Sequence, residues 1–210
     1  MAKSRLGKWR EAATSMHPAG WLWAFMHKNP TPGRFDLLYK LGKGDPWRTD
    51  NAPYEETKRA DLLSLLRSKY VSILDAGCGT GNVTRLLAER GPVLGVDASH
   101  VAIERAISLG GDGVRYETGD LRTCPLPEGV DLIVASEVLY YLTDADRQPV
   151  ISRLADALAP AGHFVVAGGK GDDRVIPLLE ARADLHMAGE VVREGDVWRP
   201  YRIVNFEKQG

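Results

Sequence analysis

Cysteine is scarce in this chain, with two in 210 residues, Cys78 and Cys124. No pair falls at metal-ligand spacing, so neither a disulfide framework nor a zinc site is expected. Long apolar runs are missing as well. The longest near the N-terminus, Trp21 to Met26, is too short for a signal-peptide core or a membrane span, and a cytoplasmic protein is expected. There is no excess of one charge either: Lys and Arg number 27, Asp and Glu 28, for a formal net charge of −1. That balance argues against a polyanion as an obligate partner. The distribution is uneven, because residues 1–48 hold nine Lys/Arg against three Asp/Glu, a net of +6 that leaves −7 for the remainder. The basic stretch reads as a solvated helix face or as a nucleic-acid or membrane contact. Internal repeats, low-complexity tracts and carboxylate clusters suited to a divalent cation are also lacking, and no metal is expected.

What is present is alternation. The length fits one α/β domain with an N-terminal addition. From Tyr70 onward, strands are expected at 71–75, 92–97, 113–117, 130–136 and 162–168. Helices are expected at 82–90, 99–108 and 146–158, with a shorter one from about Asp172 to Met187. Leu158 to His163 reads as a helix-to-strand connection, with Pro160 and Gly162 in stop positions. Two β-rich runs around Gly195 and Asp196 read as a terminal antiparallel hairpin. Together these predict a Rossmann-like, seven-stranded, mostly parallel sheet with helices on both faces. Before it, residues 1–48 form a helical extension rich in tryptophan (Trp9, Trp21, Trp23) that reads as a lid, leaving 49–210 as the main domain.

One segment narrows the chemistry. Ile73-Leu74-Asp75-Ala76-Gly77-Cys78-Gly79-Thr80-Gly81 is a buried strand running into a glycine-rich turn and then a helix. Gly77 and Gly79 let the backbone approach a ligand closely, and the helix start offers unpaired N–H groups. Asp97 ends the next strand, 20 positions after Gly77, where a Rossmann-like site holds ribose hydroxyls. A dinucleotide fingerprint would need Gly or Ala at position 82, which is Asn82 here. The acid Asp75, just before the turn, would repel a pyrophosphate. It suits the ammonium and sulfonium of S-adenosylmethionine. The stretch resembles motif I of the class I S-adenosylmethionine-dependent methyltransferases.

Later stretches extend that constellation. Asp120 follows the third strand and would accept from the adenine amino group while Leu121 packs on the ring; a plain turn cap is the other reading of Asp120. Ser136 and Glu137 end the fourth strand, at the carboxyl edge where ligands of open α/β sheets sit. Glu137 would hold a substrate ammonium or take its proton, since an amine attacks a methyl only with its lone pair free. Alternatively it caps the next helix. Tyr140 and Tyr141 either shape the substrate site or belong to the core. His163 opens the fifth strand at the far end and reads as structural.

The N-terminal half carries a second resemblance. Asp45-Pro46-Trp47-Arg48, then Pro53-Tyr54-Glu55 and the pair Lys58-Arg59, is similar to the nodulation-protein-S-like methyltransferases, as is Ser136 to Leu142. The resemblance covers about residues 36–170. It implies that Trp47, Tyr54 and Lys58 line the methionine end of S-adenosylmethionine or the acceptor pocket, although Trp47 also reads as a core aromatic. The family's best-known members N-methylate a deacetylated chito-oligosaccharide, so a small amine is the implied acceptor. The first thirty-odd residues do not fit its pattern, so the sugar itself is not implied. O-methylation of a small molecule is the alternative, and modification of nucleic acid a more distant one.

Overall fold

Short apolar runs bounded by Gly, Pro and Asp become strands, and the amphipathic runs between them become helices. The computed structural model describes residues 31–47, 49–50, 52–169, 174–194 and 199–210. The expected lid therefore lies outside the described residues up to position 30, with Trp9, Trp21 and Trp23, and so does the Gly195-Asp196 turn. The elements are α1 (Pro32–Leu41), α2 (Pro53–Ser64), β1 (Ile73–Ala76), α3 (Asn82–Leu87), β2 (Val93–Asp97), α4 (His100–Leu109) and β3 (Val114–Thr118). After these come β4 (Val130–Ser136), a 3-10 turn (Leu139–Tyr141), α5 (Asp144–Ala157), β5 (Leu158–Gly169), α6 (Ile176–Glu180), β6 (Leu185–Arg193) and β7 (Tyr201–Lys208).

One seven-stranded sheet runs in the order β3-β2-β1-β4-β5-β7-β6. Strands β1 to β5 pair in parallel, whereas β7 is antiparallel to both β5 and β6. This is the expected Rossmann-like sheet with its terminal hairpin. The order reverses at β1, between β2 and β4, and a sheet of this kind opens a crevice beyond the carboxyl ends of those strands. Leu74, Leu132, Ile133 and Val134 are completely buried, so the central strands are covered on both faces. Two apolar clusters form that cover. Leu154, Phe164, Leu179 and Phe206 belong to one, and Leu62, Leu87, Val165 and Tyr201 to the other.

Two expectations need correction. The helix expected over 172–187 is confined, among the described residues, to Ile176–Glu180. Leu185 to Met187 instead enter β6, where they pair with Lys208, Glu207 and Phe206 of β7. Sheet pairing overrides a local composition that suits either state. The connection expected at Leu158–His163 lies within β5, with a register irregularity between the Val130–Leu158 and Leu132–His163 pairs. Ala161, at φ 58°, accommodates the extra residues there.

Candidate active site

The turn after β1 is built on left-handed backbone. Gly77 has φ 78° and Gly79 φ 54°. A Cβ on Gly77 would lie 2.4 Å from Val138 Cγ2, and one on Gly79 2.8 Å from the Tyr39 hydroxyl oxygen. Both the conformation and the crowding require glycine. The Gly77 and Cys78 N–H groups donate to the Val96 carbonyl at 2.7 and 3.0 Å, which ties the turn to β2.

Two carboxylates flank this turn. Asp75 is buried and accepts a 2.6 Å hydrogen bond from the Thr84 hydroxyl of α3. Burial pushes its carboxyl up to about 7, Thr84 opposes the shift and Asp97 adds to it. Asp97, at the end of β2, accepts from the Gly79 N–H at 2.9 Å and the Ser99 N–H at 2.8 Å. Burial also raises its pKa, against those two hydrogen bonds. Each oxygen of Asp97 thus keeps a lone pair for a further donor. Beside the turn, the Arg85 guanidinium is committed to the Thr80 carbonyl and Asn82 Oδ1, at 2.9 and 2.7 Å. These carboxylate acceptors suit a ligand with hydroxyls and positive charge. They do not suit a pyrophosphate.

The described part of the N-terminal extension supplies one wall. Asp36 of α1 accepts from the Ser99 hydroxyl at 2.7 Å and the Val101 N–H at 3.2 Å, docking α1 on the start of α4. That contact carries Tyr39 to the glycine turn, where its ring meets Trp47 edge-on at 5.3 Å. Trp47 in turn faces Tyr141 at 6.5 Å, and Phe35 meets Tyr141 at 5.4 Å. The following loop is pinned by polar contacts. Asn82 donates to Asp50 at 2.9 Å and Thr49 at 3.1 Å, and Arg105 donates to Asp50 at 3.0 Å. Nothing in the local sequence pattern marks Tyr39, Asp50 and Asn82 for this role, beyond the spacing of Tyr39 on an amphipathic helix.

Beyond β3, Asp120 is held by Arg122, whose backbone and side-chain nitrogens reach it at 2.5 to 3.0 Å. Hydrogen bonding from Arg122 keeps the Asp120 carboxyl below the usual range. Leu121 is buried beside it, and its carbonyl accepts from Arg153 of α5. Arg122 was another unanticipated residue. It occupies much of the acceptor capacity expected for an adenine amino group.

The opposite wall carries Glu137, at φ 56°, a conformation that costs a non-glycine residue about 1 kcal/mol or more. Its N–H donates to the Ala167 carbonyl at 2.8 Å, which anchors it beyond the paired Ser136 and Ala167. The carboxylate accepts from the Tyr140 hydroxyl at 2.7 Å and from Lys58 Nζ at 3.2 Å. Lys58 is only 6% exposed, also touches Glu55 at 2.9 Å, and lies 5.1 Å from the centre of the Tyr54 ring. Burial pushes the Tyr54 hydroxyl up to about 12, with Glu137 and Glu55 adding and Arg199 opposing. Burial likewise drives the Tyr140 hydroxyl far upward, so it serves Glu137 as a donor.

All these parts meet in one cavity of about 300 Å³. Every expected site residue lines it: Asp75, Gly77 and Gly79 at the turn, Asp97, Asp120 and Leu121 along one side, and Ser136, Glu137, Tyr140, Trp47, Tyr54 and Lys58 across from them. His163 lies elsewhere, buried against the Tyr70 hydroxyl at 3.1 Å and Asn205 at 3.2 Å. Among the described residues, no group of three or more His, Cys, Asp or Glu is arranged to hold a metal, and no helix is long and apolar enough to cross a membrane.

Known proteins share this architecture. Residues 73–162 match a methyltransferase domain family. Nodulation protein S of Rhizobium tropici is 33% identical over 147 residues, which cover 67% of this chain and 62% of that protein. Nodulation protein S of Bradyrhizobium diazoefficiens is 36% identical over 144 residues, covering 65% of this chain and 68% of that protein. The chain thus spans somewhat under two thirds of the first relative's length and slightly more of the second's. The crystal structure of N-methyltransferase NodS from Bradyrhizobium japonicum WM9, in complex with S-adenosyl-L-homocysteine, superposes with a TM-score of 0.73 at 25% identity, covering 83% of this chain and all of that one. With the glycine turn, the paired acids and the switch in strand order already in place, these matches mean that the chain belongs to the nodulation-protein-S-like family of S-adenosylmethionine-dependent methyltransferases.

Proposed function

We propose that the protein methylates a nitrogen of a small amine, using S-adenosylmethionine as methyl donor. The observation that carries this reading is the Lys58–Glu137 pair. An alkylammonium already rests on the Glu137 carboxylate at 3.2 Å, in a wall of the cofactor cavity, so the wall accommodates the very ion an amine substrate presents. When bound, S-adenosylmethionine supplies a methyl carbon on a sulfonium leaving group. The chain's residues then need to hold the reactants in line and exclude water. Asp75 and the Gly77–Gly79 backbone take the methionine end, Asp97 the ribose, Leu121 and Asp120 the adenine, and Trp47 and Tyr54 close the acceptor side. Glu137 receives the acceptor ammonium and accepts its proton, freeing the lone pair for attack, while Tyr140 fixes the carboxylate. The partner in this reading is a small molecule met in the cytoplasm, and nucleic acid is disfavoured by the net −7 of residues 49–210.

Lys58 also favours a second reading. A buried ammonium can hold a carboxylate or phenolate, and trans-aconitate 2-methyltransferase of Deinococcus radiodurans is 34% identical over 110 residues, 41% of that protein. Glu137→Gln separates the two. N-methylation predicts a fall in turnover of roughly 10²-fold with S-adenosylmethionine affinity unchanged. O-methylation of an anionic acceptor predicts equal or faster turnover, because a competing negative charge is gone.

A further inference from the structure

Four cationic side chains line the cavity, and three are committed. Lys58 is held by Glu55 and Glu137, Arg59 donates to the Thr49 carbonyl at 3.1 Å, and Arg122 is clamped to Asp120. The fourth, Arg199, stands exposed at the mouth just before β7 and makes no hydrogen bond or ion pair among the described residues.

A short stretch of backbone links Glu137 to Arg199. It is the end of β5, where Ala167 accepts from the Glu137 N–H and is followed by Gly168 and Gly169. Among the described residues, a Cβ on Gly168 would approach nothing nearer than Tyr140 Cδ1 at 3.8 Å, and one on Gly169 nothing nearer than Arg199 Nη2 at 3.5 Å. Both are ordinary contacts, and neither glycine has positive φ, so the packing and conformation of the described residues do not require glycine here. Paired glycines inside a strand without a structural need mark a place where something else comes close to the backbone. From Ala167 to Gly169 the strand advances roughly 7 Å, so Glu137 and Arg199 stand beside one short stretch of β5.

Resting on the amine reading above, we propose that the acceptor is an amino compound carrying an anionic group, a carboxylate or a phosphate. Its ammonium end lies at Glu137, its body crosses the Gly168-Gly169 floor, and its anion is gripped by Arg199. A planar guanidinium with five donors suits either anion bidentately. Arg199 is then a specificity-determining residue that acts on binding and leaves the methyl-transfer step alone.

The test uses the full chain, methyl-labelled S-adenosylmethionine and primary amines matched with and without an anion: propylamine with β-alanine, ethanolamine with phosphoethanolamine. Label is expected in the anion-bearing members, with carboxylate and phosphate arms identifying the anion. Arg199→Gln is expected to raise KM for them about 10- to 100-fold with kcat nearly unchanged, and Arg199→Lys to recover part of that loss. S-adenosylmethionine affinity, read by calorimetry, stays the same in both variants. Preferential labelling of the uncharged members, or an unchanged KM in Arg199→Gln, overturns the anion subsite and leaves the amine reading standing. Label in none of the amines removes the amine reading, and the subsite with it.

Discussion

The Thr84 hydroxyl donates to Asp75 Oδ2 at 2.6 Å, the one side-chain hydrogen bond, among the described residues, to a carboxylate that β1 buries beneath the glycine turn. The consequence is a pH dependence of unusual sign for an acid. Asp75 titrates near 7 in the folded chain against 3.8 when unfolded, so the folded state binds the proton more tightly. Stability from this group is complete below about 4 and is lost as the pH rises through about 7. The penalty at pH 8 is on the order of a few kcal/mol. Asp75→Asn should therefore raise the Tm of the ligand-free protein at pH 8 and flatten its fall between pH 4 and 7, as followed by thermal melts. If Asp75 faces the methionine end, the same variant should also weaken S-adenosylmethionine binding.

Gly77→Ala should disable the turn in two separable ways. The added Cβ meets Val138 at 2.4 Å, and the backbone at φ 78° is strained for alanine. Together these should cost about 2–4 kcal/mol of stability and abolish cofactor binding. Adding Val138→Ala removes the two methyl contacts at 2.4 and 3.0 Å but keeps the Cβ at 2.6 Å and the strain, so urea melts of the double variant should recover only a small part of the loss.

Asp97→Ala removes the acceptor of the Gly79 and Ser99 N–H groups as well as the expected ribose contact. Affinity for S-adenosylmethionine should fall by about 2–3 kcal/mol in calorimetry. The wild-type protein should show no competing heat with NAD. Asp97→Asn, which keeps one acceptor oxygen, should fall between the two.

Lys58→Met leaves Glu55 and Glu137 facing each other without the ammonium between them. Breaking a buried pair costs about 3–5 kcal/mol, and the partial exposure of both carboxylates puts this one toward the lower end. Chemical melts should report the loss. Removing Glu55 as well, with Glu55→Gln, should restore some of it.

The fold was readable from sequence wherever a local pattern carried it. Apolar runs of strand length alternating with helices specify the parallel sheet, and the glycine turn and Asp97 depend on spacing within one β-α-β unit. The lining of the cavity was readable for the same reason, since Asp75, Gly77, Asp97 and Glu137 all sit at strand ends, whose position along the sheet follows from their position in the chain. Side-chain partners brought together by the third dimension were harder. That Lys58 meets Glu137 across 79 positions, or that Asn82 fastens the Thr49–Asp50 loop, follows from how α2 and α3 pack and not from any spacing. The same holds for Asp61 of α2, which Arg193 and Tyr201 reach at 2.7 Å from two other strands. Arg122 carries no signal in the sequence, because an Arg two places after an acid has no distinctive pattern. The short helix before β6 was overextended because Leu185 to Met187 owe their strand to pairing with β7.

The most direct measurement is transfer of a labelled methyl group from S-adenosylmethionine to parallel pools of small amines, phenols and carboxylic acids, with the wild type and Glu137→Gln. The account predicts label on nitrogen in the amine pool, reduced roughly 10²-fold in the variant while calorimetric affinity for S-adenosylmethionine holds. Label confined to phenols or acids, or an amine rate indifferent to Glu137→Gln, would contradict it.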